Sequence, residues 1–276
     1  MATIYKQGSR GEEVRKIQQM LIKAGCGASM AADGIYGPKT ANAVKAFQQK
    51  AGLKPVDGIV GPATLARLTA WTQAAKADND ELHIIRNPIQ THITFSIGRP
   101  IRYIAVHYTA GSNSRKGAAL GTRNVFLSRP ASADYVVDDE QIVQINPDPR
   151  NYYCWAVGDK RNSYGGGATL YGKATNKNTI SIEICSNLKA ATTAAVPNHE
   201  GWYFTDKALA LALKLVRHLM REYGVPKENV VRHYDVSGKL CPGVCGWNDA
   251  VLYTTDGKQT TAKNDSNKWW EFWNAI

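Results

Sequence analysis

At 276 residues the chain is long enough for one large domain, or for a large and a small one, each with its own core. Apolar residues make up 43% and charged residues 21%, a balance that excludes a disordered chain, and no run reaches the roughly 18 apolar residues of a membrane span. The net charge of +11 favours polyanions, with nucleic acid and phosphate-rich wall polymers as the two classes; the basic residues are scattered rather than gathered in a tract, which argues against nucleic acid.

The opening "MATIYKQGSRGEEVRK" lacks the apolar core of a secretory signal, so synthesis in the cytoplasm is expected. In "GSRGEEVRKIQQMLIKAG", Val14, Ile17, Met20 and Leu21 fall at helical spacing, with Ser9 or Gly11 to cap the start and Gly25 to end it. The frame "DGIYGPKT" at 33–40 then returns as "DGIVGPAT" at 57–64. Asp and Gly make a turn, Ile enters a core, and Pro sits where a helix begins. Between the copies, "TANAVKAFQQKAG" repeats the helical design with Ala43, Val44 and Phe47. Residues 1–70 are therefore expected to form a small three-helix domain. This segment resembles the peptidoglycan-binding repeat domain found at the ends of many cell-wall hydrolases, and the resemblance implies wall binding.

From Trp71 to about Phe95 the chain turns polar and loses periodicity, which reads as a linker over 71–95. Beyond it, "RYIAVHYTA" is β-rich, "ADYVVDDEQIVQI" reads as two strands around Asp138-Asp139, and "NTISIEICSN" alternates strictly. The alternation sends Ile180, Ile182 and Ile184 to one face and Ser181, Glu183 and Cys185 to the other. "TDKALALALKLVRHLMREYGVP" is an amphipathic helix capped by Thr205 or Asp206 and stopped by Gly224 and Pro226, and "NVVRHYD" is a strand running into a loop. Residues 96–276 are thus expected to be an α/β domain around a central mixed sheet flanked by helices.

Five cysteines are too sparse and odd a set for a disulfide scaffold, which leaves thiols for other chemistry. In "VRHYDVSGKLCPG", residues 231–243, His233, Lys239 and Cys241 lie within ten positions. Two imidazoles and a thiolate with an open fourth position make a catalytic zinc site. His233 and Cys241 are two such ligands; His107, at the end of its strand, is the best placed third, because strand ends carry sites in sheets of this kind. His83, His92 and His199 lie in aperiodic stretches, and His218 is a mid-helix residue.

The marks "AVHYTAG", "SADYVVDD", "NTISIEICSN" and "RHYDVSGKLCPG" resemble the zinc-dependent N-acetylmuramoyl-L-alanine amidases, a family of phage lysins, wall-recycling amidases and peptidoglycan recognition proteins. The resemblance implies one Zn2+ per chain on His107, His233 and Cys241, and cleavage of the amide between N-acetylmuramic acid and the L-alanine of the stem peptide. Lys239 is expected to offer positive charge to the tetrahedral intermediate. Tyr135 resembles the tyrosine that phage members place beside the water, and Glu183 the glutamate that other members use as general base. Two positions depart from the pattern: Asp134 and Ala156 stand where many relatives carry histidines, so contacts to substrate are not transferred. The implied partner is bacterial peptidoglycan, with no nucleic acid, no membrane span and the oligomeric state unassigned. A phage-type endolysin, made in the host cytoplasm and acting on the wall after release, is the expected biology. The alternatives are an autolysin or spore-associated amidase with the same chemistry, and a non-catalytic recognition module, against which Cys241 argues.

Three further features have plainer readings. Cys245 lacks the second pair a metal knuckle needs. "GATLYGKA", 167–174, approaches a phosphate-binding loop but ends in Ala174 and sits in a Gly-rich loop. "NKWWEFWNAI" reads as a last helix packed on the domain.

Overall fold

In the computed structural model, residues 4–27, 30–80, 82–158, 160–162, 166–189 and 196–276 are described, and the chain divides into two compact units, Met1–Glu81 and Leu82–Ile276. The first unit holds α1 (Glu12–Lys23), α2 (Pro38–Lys50) and α3 (Pro62–Asp80). Each repeated frame feeds a helix that begins at its proline, where the missing N–H costs nothing. Val14, Ile17 and Leu21 of α1 meet Val44 and Phe47 of α2 and Leu68 of α3 in one core.

Two glutamines tie this core to the repeated frames. Gln18 Nε2 donates to Asp33 Oδ1, the Ile35 carbonyl and Thr40 Oγ1 at 2.9, 3.0 and 3.1 Å, and its Oε1 accepts from Gly34 N at 2.8 Å. Gln48 repeats the pattern with Asp57, Ile59, Thr64 and Gly58 at 2.9, 3.0, 3.3 and 2.9 Å. Both amides are buried and fully engaged, as buried polar groups must be. The duplicated Gln-Gln pairs at 18–19 and 48–49 are the sequence signal for this device.

The second unit is built on a six-stranded mixed sheet in the order β1-β5-β4-β7-β3-β10. Its strands are β1 (Ile84–Arg86), β3 (Tyr103–Tyr108), β4 (Tyr135–Val137), β5 (Ile142–Gln144), β7 (Thr179–Ile184) and β10 (Val230–Arg232). Only β4 and β5 run antiparallel, as the tight Asp138-Asp139 turn requires. Around it lie β2 (Ile93–Phe95) paired with β6 (Tyr152–Cys154), β8 (Asn187–Leu188) with β9 (Trp202–Tyr203), and β11 (Val251–Tyr253) with β12 (Gln259–Lys263). The helices are α4 (Ala118–Val125), α5 (Asp206–Tyr223), α6 (His233–Ser237) and α7 (Asn267–Ala275).

The alternation of β7 sorts the two faces. Ile180, Ile182 and Ile184 join Ile104 and Val106 of β3 in a core with Leu215 and Leu219 of α5 and Trp269 and Phe272 of α7. Each such side chain contributes about 1.5–3 kcal/mol when fully buried. On the opposite face Cys185 packs with Val136 and with Ala119 of α4. Helix α5 starts where Thr205 Oγ1 accepts from Ala208 N at 3.2 Å and ends at Gly224, whose φ of 67° is the left-handed value glycine adopts freely.

Two expectations need correction, and a third holds. The stretch 71–95 is not a linker: α3 continues to Asp80, β1 joins the sheet edge with Ile84 opposite Ile142, and β2 pairs with β6. Three-residue strands are too short to show a period, so only pairing partners reveal them. The segment after β10 is a short helix, α6, rather than a loop, because the Arg232 N–H and guanidinium both bond Asp235 at its first turn. The 167–174 stretch forms turns and a bridge between Tyr171 and Ala174, without the strand and helix a phosphate loop needs.

Candidate metal centre

Parallel strands β3 and β7 place His107 directly opposite Glu183, so both side chains leave the sheet on the same face. Strand β10, on the other side of β3, hands His233 to the first turn of α6, and the loop after α6 returns Cys241. The ligand atoms of His107, His233 and Cys241 lie within 4.8 Å of one another, and among the described residues they are the one group of three so arranged. The imidazole centroids are 4.5 Å apart, and Cys241 Sγ is 3.7 Å from His107 Nδ1.

All three residues are buried, and their hydrogen bonding is incomplete in a way that suits a cation. His233 Nε2 lies 2.9 Å from the Val157 carbonyl, which requires the proton on that nitrogen and leaves Nδ1 a bare lone pair. His233 Nδ1, His107 Nε2 and Glu183 Oε2 are buried with no hydrogen-bond partner. Burial, then Lys239, holds His233 down to about 4. Burial, then His233 and Lys239, holds His107 well below the usual imidazole range. Both rings are therefore neutral, the ligating form. Burial and then Glu183 push the Cys241 thiol up, while Lys239 and the Tyr108 backbone N–H pull it back. A buried thiol beside two neutral imidazoles is a donor set that a divalent cation completes by taking the thiol proton's place. Two nitrogens, one sulfur and an open fourth position match zinc. The residues present fit the ion.

Above the trio opens a cleft of about 710 Å³ whose wall includes Glu183, Lys239, Arg129, Trp155 and Ala156. Burial pushes the Glu183 carboxyl up to about 8, against the opposing pull of Lys239 and then Arg129. Lys239 is exposed and lines the cleft.

Tyr135 is not part of this constellation. It pairs in register with Ile182, and its ring is buried in the core beneath α5, on the sheet face opposite Glu183. Burial raises its hydroxyl, which bonds the side chain of Tyr223. Asp134, one of the two departures from the pattern, is also structural: fully buried, it pairs with Arg99 at 3.2 Å and accepts from Asn146 Nδ2 and Ser181 N. Ala156 lines the cleft, and its neighbour Val157 supplies the carbonyl that orients His233. That carbonyl is a contribution no side-chain pattern signals. Cys245 is apart from the trio, with its Sγ 3.7 Å from Asn264 Oδ1. His199 is buried and accepts from Gly201 N, and His218 pairs with Glu222 at 3.0 Å.

A mixed sheet that gathers two histidines and a cysteine, from a strand, the start of a helix and a loop, beneath an open cleft defines an α/β fold with a candidate metal centre. Residues 97–244 match the N-acetylmuramoyl-L-alanine amidase family, more than half of the chain, and the chain belongs to that family. Residues 10–68 match a peptidoglycan binding domain. The N-acetylmuramoyl-L-alanine amidase CwlH of Bacillus subtilis is 34% identical over 143 residues, covering 51% of this chain and 46% of that protein. The amidase CwlA of the same species is 31% identical over 140 residues, covering 51% and 42%. The matched region thus spans less than half of each of these relatives. Among solved structures, a mutant endolysin from Bacillus subtilis is 26% identical, covering 71% of this chain and 99% of that one, with a TM-score of 0.46.

Proposed function

We propose that the chain is a zinc amidase that hydrolyses the bond between N-acetylmuramic acid and the L-alanine of the peptidoglycan stem, with its first unit holding it to the wall. The observation that carries this reading is the convergence of His107, His233 and Cys241 within 4.8 Å at the floor of the cleft that Glu183 and Lys239 also line. His107, His233 and Cys241 would hold the zinc, which when bound supplies Lewis acidity and an activated water at neutral pH.

The remaining steps belong to the chain's own side chains. Glu183, with its carboxyl pushed to about 8 on the floor of the cleft, is in the range where a carboxyl group both accepts and returns a proton near neutrality. It takes a proton from the attacking water and delivers it to the alanine nitrogen as the carbon–nitrogen bond breaks. Lys239 sets its positive charge where negative charge develops on the lactyl carbonyl oxygen. The cleft of about 710 Å³ opens over the trio, and the chain's net charge of +11 favours an anionic wall. The pairing of a wall-binding segment with an amidase segment supports a phage-type endolysin, released from the cytoplasm to act on the wall. Mass analysis of purified peptidoglycan after digestion tests the reaction: free stem peptides beginning in L-alanine support it, and cleavage within the glycan or within the peptide overturns it.

A further inference from the structure

The loop that returns Cys241 is gripped from outside the metal centre by two asparagines, each completely buried. Asn198 and Asn248 form a reciprocal amide pair: Asn248 Nδ2 donates to Asn198 Oδ1 at 2.7 Å, and Asn198 Nδ2 donates to Asn248 Oδ1 at 2.8 Å. From this pair, contacts run to both residues that follow the cysteine. Asn248 Nδ2 donates to the Pro242 carbonyl at 2.9 Å, and Asn198 N donates to the Gly243 carbonyl at 2.7 Å. The pair is itself anchored, because Asn198 Nδ2 also donates to the Val251 carbonyl at 3.1 Å and Ala250 N donates to Asn248 Oδ1 at 3.1 Å.

Asn198 sits at φ 57°, in the left-handed region that asparagine, among non-glycine residues, adopts most readily. The other side of the loop is equally confined. A Cβ added at Gly243 would lie 2.5 Å from Pro197 Cβ and 2.5 Å from Tyr108 Oη, so the main chain there passes through a gap that fits only glycine. Tyr108 follows His107, whose Nδ1 lies 3.7 Å from Cys241 Sγ. The cysteine is thus set from one side by the strand that carries His107 and from the other by the asparagine pair.

We propose that Asn198 and Asn248 are positioning residues that fix the Cys241 sulfur in the geometry metal binding needs. The proposal rests on the reading of Cys241 as a zinc ligand. Polar groups that orient a metal's ligands typically carry a 10–100-fold share of its affinity.

The test uses the full chain loaded with Co2+ in place of zinc, because a thiolate bound to cobalt gives a charge-transfer absorption in the near ultraviolet, separate from the visible bands of the ion. Asn248→Asp keeps the shape and removes both amide donors. Asn198→Gly keeps the left-handed backbone and removes the amide, and it serves as the second variant if the first fails to fold. Leu219→Ala, in the core under α5, is a control for a general loss of stability. Zinc affinity is measured for each by chelator competition. The asparagine variants are expected to weaken zinc on the order of 10–100-fold and to shift or diminish the charge-transfer band. Leu219→Ala is expected to lower the melting temperature while leaving both readouts as in the parent. A band and an affinity unchanged in the asparagine variants, with only stability lost, overturn the positioning role. If the parent itself shows no thiolate band, or Cys241→Ser retains it, the reading of Cys241 as a ligand fails, and the proposal with it.

Discussion

His107 and Glu183 are register partners on β3 and β7, so a candidate ligand imidazole and a half-buried carboxyl emerge side by side from one face of the sheet. This adjacency is the ground on which we propose Glu183 for proton transfer rather than for fold maintenance. Glu183→Gln is expected to keep full zinc content and to lose turnover on the order of 10²-fold or more, as when a proton-transfer group is removed. Lys239→Ala, which removes the charge proposed to meet the developing oxyanion, is expected to cost about 10²–10³-fold. Metal analysis paired with turnover on soluble muropeptides checks both, and near-normal turnover in Glu183→Gln would remove it from the reaction.

His107→Ala, His233→Ala and Cys241→Ala should each lower bound zinc and abolish hydrolysis, because a site with three protein ligands holds the ion poorly with two. Metal content of the purified variants is the readout. Full occupancy in all three would mean that the ion sits elsewhere.

Tyr135→Phe is expected to leave turnover unchanged, since its ring lies on the sheet face away from the cleft. Losing its hydrogen bond to Tyr223 should cost about 1 kcal/mol of stability. Kinetics and thermal melting separate the two effects, and an inactive but stable variant would return the tyrosine to the mechanism.

The glutamine clamps predict an acid-sensitive first unit. Asp33 is held below the usual carboxyl range chiefly by the Ile35 N–H and then by Gln18, and Asp57 chiefly by Gln48 and then by the Ile59 N–H. A carboxyl depressed in the fold adds stability above its unfolded value of about 3.9, and that stability is lost as pH falls through the folded value. The 1–81 fragment, which has its own core, should therefore lose stability as pH drops below about 4, and Asp33→Asn with Asp57→Asn should flatten that dependence. Gln18→Leu or Gln48→Leu, each stranding buried partners, should cost about 1–3 kcal/mol at neutral pH. Circular dichroism melts across pH are the measurement.

The 82–276 fragment carries its own core and every residue of the proposed centre. It should cut soluble muropeptides as the full chain does and digest intact walls more slowly, because the first unit raises the enzyme's effective concentration at a surface of repeated ligands. Wall binding is compared at low and raised salt to remove generic charge attraction. Equal wall digestion by fragment and full chain at every salt concentration would leave the first unit without its role.

The candidate trio was legible in the sequence because His and Cys are chemically distinctive and two of them lie close together in "RHYDVSGKLC", and the fold brings their ligand atoms within 4.8 Å of one another. The repeated frames and the strict alternation of "ISIEIC" were legible because period is a local property. Tyr135 was not. Strand β4 reads Tyr-Val-Val and is buried on both faces, so it has no alternation to say which side chain meets the cleft, and pairing with Ile182 rather than Glu183 decided it. The same holds for β1 and β2, three residues each, whose existence depends on partners distant in the chain. Asn198 and Asn248, and the Val157 carbonyl, lie still further from sequence reach: their roles arise from hydrogen bonds between segments tens of residues apart, and backbone groups carry no residue signature. Local spacing determined which chemistry this chain can hold, and the packing of strands against one another decided which groups face it, because a side chain's direction in a sheet is set by its neighbour's register.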